Sequence, residues 1–176
     1  NTGVWYHPYT DYVISHSLMR GLSSTLFAPN QSMTRGMMVT TLYRLAGEPQ
    51  VEGTATFQDV KSSAYYANAV AWAEANGIAK GIDTGVFAPN APVTREQAAA
   101  FAYRYVTAYL GKTPVPGASL GGFQDAGLVS DYAAESLSWA HAAGLMVGYG
   151  DGFLGPKDTV TRAQMAKLLT LLAQNF

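Results

Sequence analysis

Arg35, Arg95 and Arg162 each follow a threonine and each open an apolar helical pattern. A cation in the first turn of a helix faces the positive end of the helix dipole, which is mildly unfavourable. Its occurrence at three equivalent places therefore asks for a partner. Two partners fit. One is an external anion, because a helix N-terminus beside a guanidinium fork suits a carboxylate or a phosphate. The other is a carboxylate in a neighbouring part of the chain, such as Asp59 or Asp125.

The residues around the arginines repeat with them. The stretch Gly21 to Arg35 returns as Gly81 to Arg95 and again as Gly148 to Arg162, with no gap among the three copies. The arginines lie 60 and then 67 residues apart. Thr94 with Gln97, and Thr161 with Gln164, have the spacing of a capping box; Thr34 has Met37 in place of the glutamine. Gly81 and Gly148 allow close backbone approach, either to a ligand or simply within a tight connection. Three aromatic pairs, Trp5 and Tyr12, Tyr65 and Trp72, and Tyr132 and Trp139, are each seven residues apart, or two helical turns. Such rings bind the C–H faces of sugars or pack the core, and at least one ring of each pair is expected in the core.

Catalysis has little support. His7, His16 and His141 occupy unrelated positions in the repeats, and no nucleophile elbow, zinc-ligand spacing or phosphate-binding loop is present. The Asp-Gly segments near Asp83 and Asp151 lack the spaced acidic ladder of a calcium loop. No metal ligands and no cofactor are assigned.

The elements that must position these residues follow from the periodicity. Helices are predicted from Trp5 to Ser17 with Pro8 in the first turn, from Thr34 to near Gly47, and from about Tyr65 to Ala75 with Ser62 or Ser63 as cap. Further helices are predicted from Thr94 to Gly111, from about Tyr132 to Ala143, and from Thr161 to about Ala173. Asn76-Gly77 has the composition of a left-handed C-cap, and residues 112–122 have that of a flexible linker. The expected buried faces are Met38, Leu42 and Leu45; Tyr66, Ala69, Val70 and Ala73; Ala98, Phe101, Ala102, Tyr105 and Tyr109; and Met165, Leu168, Leu169 and Leu172. Each repeat is thus helix, Gly-rich loop, helix. Three of them, 1–47, 57–111 and 123–176, are expected to share one core as an all-α bundle with pseudo-threefold symmetry and clefts between repeats.

Composition narrows the classes. A formal net charge of −1 argues against non-specific nucleic-acid binding. No run of 18 apolar residues is present, so no membrane span is expected. The absence of cysteine excludes disulfides and thiolate metal sites. With no initiating Met and no leader pattern, the chain is taken as a piece of a larger or processed polypeptide.

The motifs together resemble a triplet of S-layer homology repeats. Those that carry the resemblance are Phe57-x-Asp59-Val60 and Phe123-x-Asp125, Ala69-Val70-x-Trp72-Ala73, and Asn76-Gly77-Ile78. The loop Gly81-x-x-x-Gly85-x-Phe87-x-Pro89-Asn90-x-Pro92-Val93 and the Thr-Arg pairs of Arg95 and Arg162 complete it. The resemblance implies a pseudo-trimer with a central helical bundle and three grooves. It also implies non-covalent anchoring of an exported bacterial protein to an acidic wall polysaccharide, typically one bearing pyruvate ketals on N-acetylmannosamine, with the signature arginine on the ketal carboxylate. The first repeat departs from the pattern: it lacks Phe-x-Asp, has Ser23-Ser24-Thr25 where Asp and Gly are usual, and has Gly36 after Arg35. At most two well-formed grooves are therefore expected, with the one at Arg35 the weaker.

The ligand-binding residues expected on this reading are Arg95, Arg162 and Arg35, the backbone at Gly81 and Gly148, an aromatic wall from Trp72 or Trp139, and Asp59 and Asp125. The expected partner is a bacterial cell-wall polysaccharide at the outer cell surface, and no enzyme activity is expected. The competing class is a structural repeat module for protein–protein interaction, its arginines held in internal salt bridges. A small glycan hydrolase is the weakest alternative.

Overall fold

The computed structural model describes residues 3–176; Asn1 and Thr2 lie outside the described residues. The described chain is all-α, with six α-helices and no strands: α1 (His7–Ser15), α2 (Arg35–Leu45), α3 (Ala67–Ala75), α4 (Arg95–Arg104), α5 (Ala134–Ala142) and α6 (Arg162–Asn175). A π-helical turn, Tyr105–Tyr109, extends α4 before Gly111 turns the chain away with φ +63°. A short 3₁₀ turn, Asp131–Ala133, leads into α5.

The helix starts obey their local chemistry. The hydroxyls of Thr34, Thr94 and Thr161 accept the N–H of Met37, Gln97 and Gln164, and the last two are reciprocal capping boxes. Each such cap contributes about 1 kcal/mol. Ser62 and Ser63 do not cap α3; its N-cap is Tyr66, with no side-chain bond. Pro8 sits in the first turn of α1, where its missing N–H is harmless.

The packed helix pairs are offset from the repeats. α2 packs principally on α3, α4 on α5, and the first helix α1 on the last, α6. The first helix of each repeat thus lies against the second helix of the preceding one, and α1 closes the circle. Connections of 19 residues separate the two helices of each repeat, long enough to carry the second helix to a different neighbour.

At the centre, the residue before each Thr joins a closed ring of backbone hydrogen bonds. Met33 N–H donates to the Val160 carbonyl (2.8 Å), Val160 N–H to Val93 (2.9 Å), and Val93 N–H to Met33 (3.0 Å). The three side chains are 1%, 1% and 0% exposed, so the ring lies inside the shared core. The predicted apolar faces meet there: Met38, Leu42, Phe101, Ala102, Met165, Leu168, Leu169 and Leu172 are buried, while Leu45 and Tyr109 are half-buried. The segment 112–122 is docked on α5 rather than free. Ser138 Oγ donates to the Ala118 carbonyl (2.6 Å), and Ala118 N–H donates to the Ser138 carbonyl (3.2 Å).

Candidate functional site

The three arginines share one geometry. Arg35 donates Nε–H to the Phe87 carbonyl (2.7 Å) and Nη2–H to the Lys80 carbonyl (3.0 Å). Arg95 does the same to Leu154 (2.9 Å) and Val147 (2.7 Å), and Arg162 to Phe27 (2.7 Å) and Arg20 (2.6 Å). Each arginine therefore ties down the loop of the following repeat in the cycle. The guanidinium planes lie over aromatic rings: Phe87 at 4.7 Å, Tyr149 at 4.8 Å and Phe27 at 4.6 Å. Arg95 turns to Tyr149 because the position of Phe27 and Phe87 is Leu154 in its loop.

These cations are only 4–6% exposed, and no carboxylate neutralises them. Among the described residues, the Arg or Lys ion pairs are Arg44–Glu48 and Lys157–Glu96, and none involves Arg35, Arg95 or Arg162. Burial lowers the pKa of all three, opposed at Arg95 by Tyr149, Asp158 and Asp125 and at Arg162 by nothing resolved. Of the five N–H donors on each guanidinium, two are used by the loop carbonyls and three remain. A buried cation with spare donors is a place where an anion restores what desolvation removed.

The alternative partners, Asp59 and Asp125, form no salt bridge with these arginines among the described residues. Both carboxylates instead clamp the loop of their own repeat from behind. Asp59 accepts the N–H of Phe87 (2.9 Å) and Ala88 (2.7 Å), and Asp125 those of Leu154 (2.8 Å) and Gly155 (2.7 Å). Neither lines a groove. Burial opposes the Asp125 charge, but its amide donors and Arg95 outweigh that and hold the carboxyl below its ordinary range.

The helix N-termini are not free donors either. Arg35 N–H and Gly36 N–H donate to the Ala91 and Pro89 carbonyls (2.9 and 2.8 Å), and the other two helices repeat the pattern. Any anion must therefore be met by side chains and loop amides. Gly81 and Gly148 do line grooves, and a Cβ on Gly148 would stand 2.5 Å from the Phe123 ring. Their own N–H groups take no acceptor among the described residues, whereas the next amides, Ile82 and Tyr149, are bonded to Val86 and Phe153.

Three grooves result, one on the second helix of each repeat. The α4 groove, about 560 Å³, joins Arg35, Lys80, Gly81, Arg104 and Tyr132. The α6 groove, about 430 Å³, joins Arg95, Gly148, Tyr149, Lys167 and Trp5. The α2 groove, about 240 Å³, joins Arg162, Arg20, Gly21, Arg44 and Tyr65. Each takes its arginine from one repeat, its loop and helix from the next, and its outer aromatic ring from the third. Arg35, Arg95 and Arg162 thus meet Gly81, Gly148 and Gly21 respectively. The weakened loop of the first repeat belongs to the smallest groove, that of Arg162. The groove of Arg35 is the largest, contrary to expectation.

This architecture goes with a shared ancestry. The profile of the S-layer homology (SLH) domain matches residues 56–99 and 122–166. The chain belongs to the S-layer homology family. It is 33% identical over 168 residues to an endoglucanase of Bacillus sp. (strain KSM-635), covering 96% of this chain and 18% of that protein. It is 30% identical over 167 residues to the surface-layer 125 kDa protein of Lysinibacillus sphaericus (93% and 14%). It is 26% identical over 174 residues to the S-layer protein sap of Bacillus anthracis (94% and 20%). The chain spans no more than a fifth of the length of these relatives.

The aromatic wall of the SLH grooves is not the one expected. Trp72 and Trp139 are 4% and 0% exposed and pack against Tyr43, Tyr105, Tyr109, Tyr103 and Phe176. Their pair partners Tyr65 and Tyr132, with Trp5, are 55–65% exposed and form the groove walls. The repeat spacing already marked these rings; what was missed is which of each pair faces out. Also missed was Glu96, 3% exposed, which accepts from Lys157 Nζ (2.6 Å), Ser130 N–H and Oγ–H (3.0 Å each) and Tyr132 OH (3.2 Å). Burial opposes its charge, and these donors outweigh it to hold the carboxyl below its usual range. The Tyr132 phenol is pushed up to about 12 by burial and by Glu96.

Proposed function

We propose that this SLH module is a non-catalytic anchor that holds an exported bacterial protein to the cell wall. It does so by binding an acidic, pyruvylated secondary wall polysaccharide in the inter-repeat grooves. The observation that carries this reading is the set of buried, carboxylate-free arginines, each with spare N–H donors at the floor of a groove walled by an exposed aromatic ring. A ketal carboxylate suits the guanidinium, and a pyranose face suits the ring. The surface-layer relatives and the endoglucanase, which share only this part of their length, support a role as an attached module at the cell surface. No helix among the described residues is long and apolar enough to cross a membrane, so attachment would come from the grooves or from the rest of the polypeptide.

The test is co-sedimentation of the purified chain with protein-stripped bacterial walls, before and after mild acid removal of ketal pyruvate. Binding that is lost with the pyruvate is the expected result. Binding that survives removes the carboxylate mechanism, and absence of binding removes the anchor reading. Because the arginines also hold the loops, Tyr132→Ala and Trp5→Ala are the cleaner variants, and both should weaken sedimentation while melting is little changed.

A further inference from the structure

The three grooves are not equivalent, and the difference lies in two positions beside the shared arginine. On the loop, the residue before the glycine is Arg20 in the α2 groove, Lys80 in the α4 groove and Val147 in the α6 groove. Nine residues past the arginine that opens each groove's own helix, the corresponding residues are Arg44, Arg104 and Leu171. Replacement of both cations by apolar residues leaves the α6 groove with Arg95 and Lys167. There Asp158 also stands nearby, accepting from Tyr149 OH (3.0 Å) and offsetting part of the Arg95 charge.

The α2 and α4 grooves keep three cations each, but the α2 groove is compromised. Arg44 is paired with Glu48 at 3.6 Å, the cavity is less than half the volume of the α4 groove, and Tyr65 has no counterpart of the Glu96 anchor, since Gly36 stands at that position. Among the described residues no carboxylate is paired with Arg35, Lys80 or Arg104 in the α4 groove; burial and Arg104 depress the Arg35 pKa, opposed by Tyr132 and Asp59. Its outer ring, Tyr132, is fixed by the bond to Glu96, itself held by Lys157 and Ser130. A wall already fixed before binding loses less freedom on binding.

We infer that the α4 groove is the primary site of the module and that it selects a saccharide unit carrying two negative charges rather than one, with Lys80 and Arg104 as the specificity-determining residues. This rests on the anchoring reading. Arg35 meets one anionic group on the groove floor. Lys80 and Arg104 meet the second at the rim, where the α6 groove has Val147 and Leu171 at the matching positions and keeps Lys167 beside Arg95.

Calorimetric titration of the whole chain with two defined probes tests it. One is the methyl glycoside of pyruvylated N-acetylmannosamine, which has one charge. The other is the same unit extended by glucuronic acid, which has two. The wild type should prefer the second probe by about tenfold at moderate salt, and Lys80→Val with Arg104→Leu should abolish that preference while leaving binding of the first probe. Arg104 donates to the Ile78 carbonyl (3.3 Å), so Lys80→Val alone is the control for folding; it is exposed and should reduce the preference about threefold. An equal preference in the wild type and both variants overturns the inference and leaves the anchor reading standing. Failure of both probes to bind the wild type overturns both.

Discussion

The loop of the first repeat, Gly21 to Met33, and that of the third, Gly148 to Val160, follow the same path with different supports. Both receive an arginine from the neighbouring repeat, Arg162 and Arg95 respectively. Both turn through a residue with positive φ, Ala28 at +54° and Gly155 at +67°. Among the described residues a carboxylate, Asp125, accepts from the third loop and none from the first, and the turn residue is glycine in the third loop and alanine in the first. The difference separates two jobs. The arginine and the central ring define where the loop goes, and the carboxylate and glycine determine how firmly it stays.

The largest effects should come from the arginines. Arg162→Ala and Arg95→Ala each strand two carbonyls and should cost about 2–3 kcal/mol in chemical unfolding. They should differ under limited proteolysis: Arg162→Ala opens the first loop to cleavage, whereas Arg95→Ala leaves the third loop protected by Asp125. Equal cleavage would show that the clamp is not what distinguishes the loops. Next comes Gly155→Ala. Its Cβ would stand 2.5 Å from Asp158 Oδ2 and 2.6 Å from the Tyr149 ring, on a backbone that L residues resist. A loss of about 2 kcal/mol in melting measurements is expected.

Asp125→Asn is smaller, about 1 kcal/mol at neutral pH, and carries a pH signature. Because the folded carboxyl sits below its ordinary value of 3.8, its contribution is present above that value and lost as pH falls through the folded pKa. The wild type should therefore lose stability below about pH 4 more steeply than the variant. Glu96, shifted the same way, adds to the slope in both proteins. The smallest effect is a gain: Ala28→Gly relieves the left-handed turn and should stabilise by about 0.5 kcal/mol, net of the greater freedom of glycine when unfolded. A loss there would mean that the first loop is not strained as its φ indicates.

What was legible in the sequence was local. Thr34, Thr94 and Thr161 cap their helices because a cap needs only residues three apart, and the buried faces of α4 and α6 follow from period alone. What was hidden depended on the offset between repeats. The sequence puts Arg95 beside Gly81, yet the fold puts it beside Gly148, since each arginine reaches forward into the next loop. The aromatic pairs failed for a different reason. Seven residues make two turns only within one helix, and α3 begins at Ala67 while Tyr132 lies in a 3₁₀ turn. Tyr65 and Tyr132 therefore leave the face that Trp72 and Trp139 share.

The ring of Met33, Val93 and Val160 limits how this architecture can grow. In a solenoid each unit offers its neighbour an open end, so copies can be added one at a time. Here every link gives one N–H and takes one carbonyl, and the third link returns to the first. A fourth copy would find no vacant bond and would have to break one to enter. A chain with more of these repeats must therefore acquire a second complete triplet, and grooves are added in steps of three.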